Sequence, residues 1–310
     1  MPVARRLRPI AGVAALLVAA LVPAPAAGAA SPAASVSCGV AVPGALEARA
    51  MPGATVAEPS APAGGADLLA GHQVAAQSAA GSVVVRTYVH VIANGWKRSQ
   101  GMLSPAEVRA QMRVLNRSFA GTTSPDAANT SFRFQLVGTT YTVKPAWSQM
   151  LPDSAAEWEA KRTLRRGDER TLNVYLSGLG GGLLGYAYYP EFNNPEPWRD
   201  GVVILNESIP GGSLAPYNQG DTLPHEVGHW LGLAHTFDGG CSPTNDRVRD
   251  TPAQRTPTTG CPEHKDTCPR MPGVDPVENF MDYSADSCMN AFTRGQAARM
   301  DAVWQVFRAR

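Results

Sequence analysis

Residues 225–235 read His225-Glu226-Val227-Gly228-His229-Trp230-Leu231-Gly232-Leu233-Ala234-His235. A helix carries residues four apart on one face, so His225 and His229 aim their imidazoles at one point. Glu226 stands about a third of a turn away. That places it beside a metal ion rather than on it, where a carboxylate takes a proton from metal-bound water. Gly232 lets the chain leave the helix through a left-handed conformation that a side chain disfavours. The turn then brings His235 in as a third ligand. Three protein ligands with a fourth position kept for water is the arrangement of a catalytic zinc, not of a structural one.

The rest of the chain narrows the setting. Its 310 residues suffice for one substantial domain plus extra segments, and a formal net charge of +1 gives no large basic surface for nucleic acid. Arg5, Arg6 and Arg8 precede an apolar run over residues 10–22, followed by small residues up to Ala29 and Ala30. That order is a secretory signal peptide, residues 1–30, too short in its apolar part to span a bilayer. A secreted, extracellular protein without stable membrane association is expected. Residues 31–81 are rich in Ala, Pro, Gly and Ser, a composition that buries little apolar surface. Between a signal peptide and a folded domain, this stretch reads as a propeptide or flexible segment. Of five cysteines, Cys241, Cys261, Cys268 and Cys288 come late and Cys38 stands alone. In an oxidising compartment the four read as two disulfides, and spacing leaves three pairings open.

A folded domain is expected over residues 82–310. The β-branched and aromatic run 83–92 predicts a strand, and Ser104-Pro105 opens a helix with Val108, Met112, Leu115 and Phe119 on one face. Further strands are expected at 132–143, 171–176 and 201–205, with a partly irregular edge strand within 178–189. Residues 155–166 predict a charged surface helix and 293–307 a closing helix. Asp221 or Thr222 is a candidate cap for the helix of the histidines. The fold class is α/β (α+β): a mixed upper part with the histidine helix, then an irregular, disulfide-bridged lower part.

A second motif, Asn279-Phe280-Met281-Asp282-Tyr283-Ser284, follows His235 by some 46 residues. With the long histidine motif it resembles the metzincin zinc proteases, in which a methionine turn runs beneath the metal. The run from His225 to Phe237, Asp250-Thr251-Pro252 and the motif around Met281 resemble the pappalysin group, which includes secreted bacterial and fungal proteases. The resemblance covers roughly residues 82–310. It implies that Met281 packs under the histidines and that the Tyr283 phenol lies near the zinc, able to donate to a developing oxyanion. It also implies bridges Cys241–Cys268 and Cys261–Cys288. A calcium ion is implied as well, on hard oxygens of Asp246, Val248 (carbonyl), Asp250 and Thr251.

Cys38, in Ser37-Cys38-Gly39-Val40, is similar to the Cys-Gly segments of pappalysin-type propeptides. A thiolate there can take the fourth zinc position and hold a zymogen silent. Asp286 lies where chain segments line the S1′ pocket in such a fold, and a carboxylate at its base favours Arg or Lys at P1′. The expected activity is hydrolysis of peptide bonds in protein or peptide substrates, with Glu226 as proton acceptor and donor. A catalytically silent, secreted zinc-binding or adhesive module on the same scaffold is the alternative, against which Glu226, Met281 and Tyr283 speak.

Overall fold

The computed structural model describes residues 46–55, 68–190 and 196–309, all within one compact unit, Val42–Arg310. The signal peptide, Cys38 and most of the propeptide segment lie outside the described residues.

Six strands form one sheet in the order β1-β5-β6-β4-β2-β3. They are β1 (Leu46–Ala50), β2 (Val83–Ala93), β3 (Phe132–Val143), β4 (Thr171–Ser177), β5 (Leu183–Tyr188) and β6 (Val202–Leu205). β2 runs parallel to β3 and β4, and β4 parallel to β6. β5 turns antiparallel on β6, and β1 antiparallel on β5. The central strands are buried on both faces, as parallel sheets are. Along β4, Leu172, Val174 and Leu176 enter one core with Val85, Leu115, Phe119, Val227 and Trp230. Tyr175 points the other way, joining Ile92, Trp147, Tyr186 and Val203 in a second core.

α1 (Pro105–Phe119), α3 (Thr222–Trp230) and α4 (Arg294–Val303) contribute to the first core, α2 (Ala155–Leu164) to the second. Ser104 caps α1 and Thr293 caps α4, each with a reciprocal bond from the third helical residue. α4 ends in a wider turn, Trp304–Arg308, and Arg308 lies 3.5 Å over the Trp230 ring. Its guanidinium also binds the Trp230 carbonyl and Asp200, tying the chain's end to the base of α3.

Two expectations change. α2 is not a mere surface helix: Glu157 and Lys161 are fully buried and paired at 2.8 Å. Lys161 Nζ donates to the Arg199 carbonyl and lies 4.5 Å from the Tyr188 ring centre. A helix covering the second face of a two-sided sheet cannot keep all its charges in water, and these survive burial by pairing. In addition, β1 falls inside the stretch whose composition suggested a flexible segment. Its strand form comes from its neighbour, since β5 offers a free edge.

Candidate metal centre and active-site cleft

α3 carries His225, Glu226 and His229, all fully buried. Asp221 occupies the N-cap position but its side chain makes no capping bond. After Trp230 the chain turns at Gly232, whose φ is +88°. A Cβ there would also sit 2.7 Å from Val303, so α4 packs against the bare backbone. The turn returns His235 to the other two histidines. Nε2 of His229 lies 3.0 Å from Nε2 of His225 and 3.1 Å from Nε2 of His235. Among the described residues, this is the cluster of three whose ligand atoms converge within 4.8 Å.

The other ring nitrogens explain why Nε2 faces inward. His225 Nδ1 lies 2.6 Å from the Phe280 carbonyl and His229 Nδ1 lies 2.7 Å from the Leu233 carbonyl. A carbonyl only accepts, so each Nδ1 carries the proton and each Nε2 turns a lone pair to the centre. His235 stacks on Phe237 at 4.7 Å, with Asp238 3.7 Å from its Nδ1. Burial and the neighbouring imidazoles hold His225 and His229 well below the usual histidine range. Three converging lone pairs on neutral rings repel one another unless a cation sits among them. The donor set fits zinc.

Met281 is buried directly under α3, where a Cβ on Gly228 would collide with its sulfur. Asp282 holds this turn by accepting from Thr258 N, Tyr283 N and Gln254 Nε2. The Tyr283 ring lies edge-on to His235 at 4.9 Å and 5.7 Å from His225. Disulfides join Cys241 to Cys268 and Cys261 to Cys288, with Cα separations of 5.4 and 5.9 Å, the pairing the resemblance implied.

Asp286 is 3% exposed and faces Arg49 of β1. Its Oδ2 accepts from the Gln219 and Gly220 amides at 2.8 and 3.2 Å, leaving Oδ1 for the Arg49 guanidinium at 3.1 Å. The guanidinium also donates to Thr222 Oγ1, the Ser284 carbonyl and Met289 Sδ, and lies 5.2 Å from the Tyr217 ring centre. The Arg49 amide donates to Glu226 Oε1 at 3.1 Å. Gly185 of β5 permits this approach, since a Cβ there would sit 2.8 Å from Glu226 Cγ.

Asp246 is buried, its Oδ1 accepts from the Val248 amide at 3.0 Å, and its carboxylate lies beside the buried Thr251 hydroxyl. Desolvation pushes the Asp246 carboxyl up to about 7. Asp250, also of the expected set, faces the start of α4. Its two oxygens accept from Thr293 Oγ1 and Gly295 N, at the anion-favouring start of α4.

Sequence reasoning missed Arg49, Gly185, Tyr189 and Phe237. Tyr189 donates to the Leu233 carbonyl that His229 also uses. Its signal was faint, an aromatic at the end of a glycine-rich strand. Arg49 gave none, sitting in an alanine-rich stretch.

Known proteins share this arrangement. The pattern of the peptidase family described as Pregnancy-associated plasma protein-A matches residues 166–305. An extracellular metalloprotease of Coccidioides posadasii is 46% identical over 230 residues, 73% of this chain and 79% of the relative. One from Pyricularia oryzae is 44% identical, covering 74% and 77%. Mature mirolysin from Tannerella forsythia, solved with a cleaved peptide, superposes with a TM-score of 0.60 at 32% identity. That match covers 72% of this chain and 92% of mirolysin. A mirolysin complex with a small compound gives 0.64 at 31%, covering 73% and 92%. Fold and site therefore define a metalloendopeptidase of the metzincin type. The chain belongs to the pappalysin family within it.

Proposed function

We propose that this protein is a secreted, zinc-dependent endopeptidase, made as a zymogen, that cleaves proteins on the amino side of Arg or Lys. One observation carries the reading: Glu226 touches the amide nitrogen of an arginine whose guanidinium is buried against Asp286, beside three converging imidazole nitrogens. The relatives' description as extracellular supports secretion, and no helix among the described residues is long and apolar enough to cross a membrane.

Nε2 of His225, His229 and His235 would hold the zinc, which supplies Lewis acidity toward the scissile carbonyl and acidifies a water. Substrate adds as an antiparallel strand to the edge of β5, and its P1′ guanidinium enters the pocket of Asp286, Thr222 and Ser284. Glu226 takes the proton of the attacking water and passes it to the departing amine. Tyr283 donates its phenolic proton toward the carbonyl oxygen as charge gathers there. Cys38, eleven residues before Arg49, supplies latency by offering a thiolate to the metal; the solved pro-form of mirolysin among the structural neighbours supports a zymogen. A calcium ion would be held by Asp246, Asp250, Thr251 and the Val248 carbonyl, hard oxygens at close spacing, and would steady this loop.

Casein digestion by the processed protein tests the core of this reading. Hydrolysis should vanish with a chelator, return with zinc, and be absent in Glu226→Ala. Zinc bound without hydrolysis would instead support the silent module. A Cys38→Ala precursor as inactive as the parent would remove the latency role.

A further inference from the structure

We propose that Gln254 is a positioning residue of this active site, whose buried carboxamide ties the segment of the third histidine, His235, to the methionine turn that carries Tyr283. The proposal rests on the peptidase reading above and deepens it by naming what holds two separately delivered parts of the site in register.

His225 and His229 share α3, so helical hydrogen bonding fixes their spacing. His235 and Tyr283 have no such support, since neither lies in a helix or a strand. Side chains must therefore set their mutual position. One backbone bond joins the two segments directly, from Thr236 N to the Met281 carbonyl at 3.2 Å. A second link runs through Gln254. Its Oε1 accepts from Thr236 Oγ1 at 2.7 Å, and its Nε2 donates to Asp282 Oδ2 at 3.0 Å. Thr236 follows His235 in the chain, and Asp282 accepts from the Tyr283 amide at 2.8 Å. Thr236, Gln254 and Asp282 are all fully buried.

The chemistry of the two neighbours calls for this residue type. Asp282 is a carboxylate that already accepts from the Thr258 and Tyr283 amides, so the side of Gln254 that faces it must donate. Oε1 is then left for Thr236, whose hydroxyl donates. A carboxamide supplies donor and acceptor from one planar group. A glutamate would set a second carboxylate against Asp282, and a methionine of equal length would serve neither partner.

The carboxamide is itself held in place. Nε2 also reaches the Thr256 carbonyl at 2.9 Å and Thr258 Oγ1 at 3.1 Å. Lys265 Nζ donates to the same two acceptors at 2.6 and 3.0 Å, and Asp275 anchors that ammonium at 3.1 Å. The loop of Gln254 lies between Cys241 and Cys261, each bridged to a later part of the chain. A buried polar group that loses its partner keeps the full cost of its desolvation. Removing Gln254 strips a partner from Thr236 and from Asp282 at once. Both segments can then shift, His235 against the other two histidines and Tyr283 against the scissile carbonyl.

The test compares Gln254→Met, Thr236→Val and the double variant with the parent. Zinc dissociation constants are measured on the full-length chains by competition with a chromophoric chelator, and urea midpoints on the same chains without metal. The processed forms, at saturating zinc, give kcat and KM on an arginine-containing peptide. Gln254→Met should weaken zinc binding by roughly 10- to 100-fold, the range for losing a group that orients a metal ligand. Its kcat should fall with KM little changed, because the Tyr283 phenol acts as the transition state forms. Thr236→Val should lose less affinity, and Thr236→Ser, which keeps the hydroxyl, should regain it. The double variant should bind zinc as Gln254→Met alone does, since both changes break one link. A lower urea midpoint with parent-like zinc affinity and kcat, or additive losses in the double variant, overturns the proposal. Should Gln254→Met fail to fold, Thr236→Val decides, and parent-like zinc affinity there overturns it equally. A parent that binds zinc and cuts the peptide while the variants match it sinks this proposal alone. A parent that does neither sinks the peptidase reading as well.

Discussion

Replacing Asp286 by Asn removes one charge from a pocket that is otherwise kept in shape. The Asn oxygen can still accept from the Gln219 and Gly220 amides, which now donate to Asp286 Oδ2, so the loop has reason to stay. What is lost is the charge now facing Arg49, a contact of 3.1 Å between two side chains with no solvent exposure, and with it the charge proposed to receive a P1′ guanidinium. Hydrogen bonds to charged groups contribute about 1.5–3 kcal/mol, or roughly 10- to 150-fold in kcat/KM at about 1.4 kcal/mol per decade. The Asn amide would also turn a donor toward a guanidinium that only donates, which favours the upper end. Because the pair is buried, added salt should change the parent's preference little. The assay compares initial rates, well below KM, on two peptides differing only in Arg or norleucine at P1′. The Arg substrate should lose that factor and the norleucine substrate should change little. An unchanged ratio between the two, or an equal fall in both, would refute the role given to this carboxylate.

Gly185→Ala puts a Cβ 2.8 Å from Glu226 Cγ and 3.0 Å from Thr222 Cγ2. Displacing Glu226, the proposed proton-transfer group, by about an ångström costs roughly a hundredfold in rate, so kcat should fall far more than the melting temperature; an unchanged kcat argues against it. His90, buried between Thr140 and Asn173, has its basicity lowered to about 4 chiefly by desolvation. Its folded value lies below its unfolded one, so the unfolded chain binds more protons between the two. The stability this neutral ring contributes is complete above about pH 6.5 and is lost as pH falls toward 4, on the order of 3 kcal/mol in all. Urea midpoints of parent and His90→Gln at pH 7 and 4.5 should show the variant losing less on acidification, and parallel losses would count against it. Cys261→Ala with Cys288→Ala opens a loop closed across 27 residues. Chain entropy assigns such a loop about 3.5 kcal/mol, readable as a lower urea midpoint, and a midpoint equal to the parent's would dismiss the estimate.

The parts of this molecule that were legible in sequence are those whose cause is local. Helical spacing alone brings His225 and His229 together, and Gly232 announces the turn that delivers His235. Ser104 and Glu107 announce the start of α1, and the β-branched run beginning at Val83 announces β2. What stayed hidden depends on partners far along the chain. Glu157 and Lys161 look like solvated charges until a two-sided sheet needs its second face covered, and only their pairing permits that. Asp250 gave no sign in sequence of its bonds to the start of α4, more than forty residues later, where both its oxygens accept. Arg49 is the sharpest case. Its stretch of chain is composed like a solvated linker, and the residue that gives it meaning, Asp286, lies 237 positions away. Neither end of that pair is readable alone: a lone carboxylate after the methionine turn could face water, and a lone arginine among alanines could do the same. The link between them is the free edge of β5. Once an edge strand beside the metal-ligand helix is recognised, backbone pairing fixes a register, and register fixes which side chain reaches the pocket and which peptide nitrogen meets Glu226.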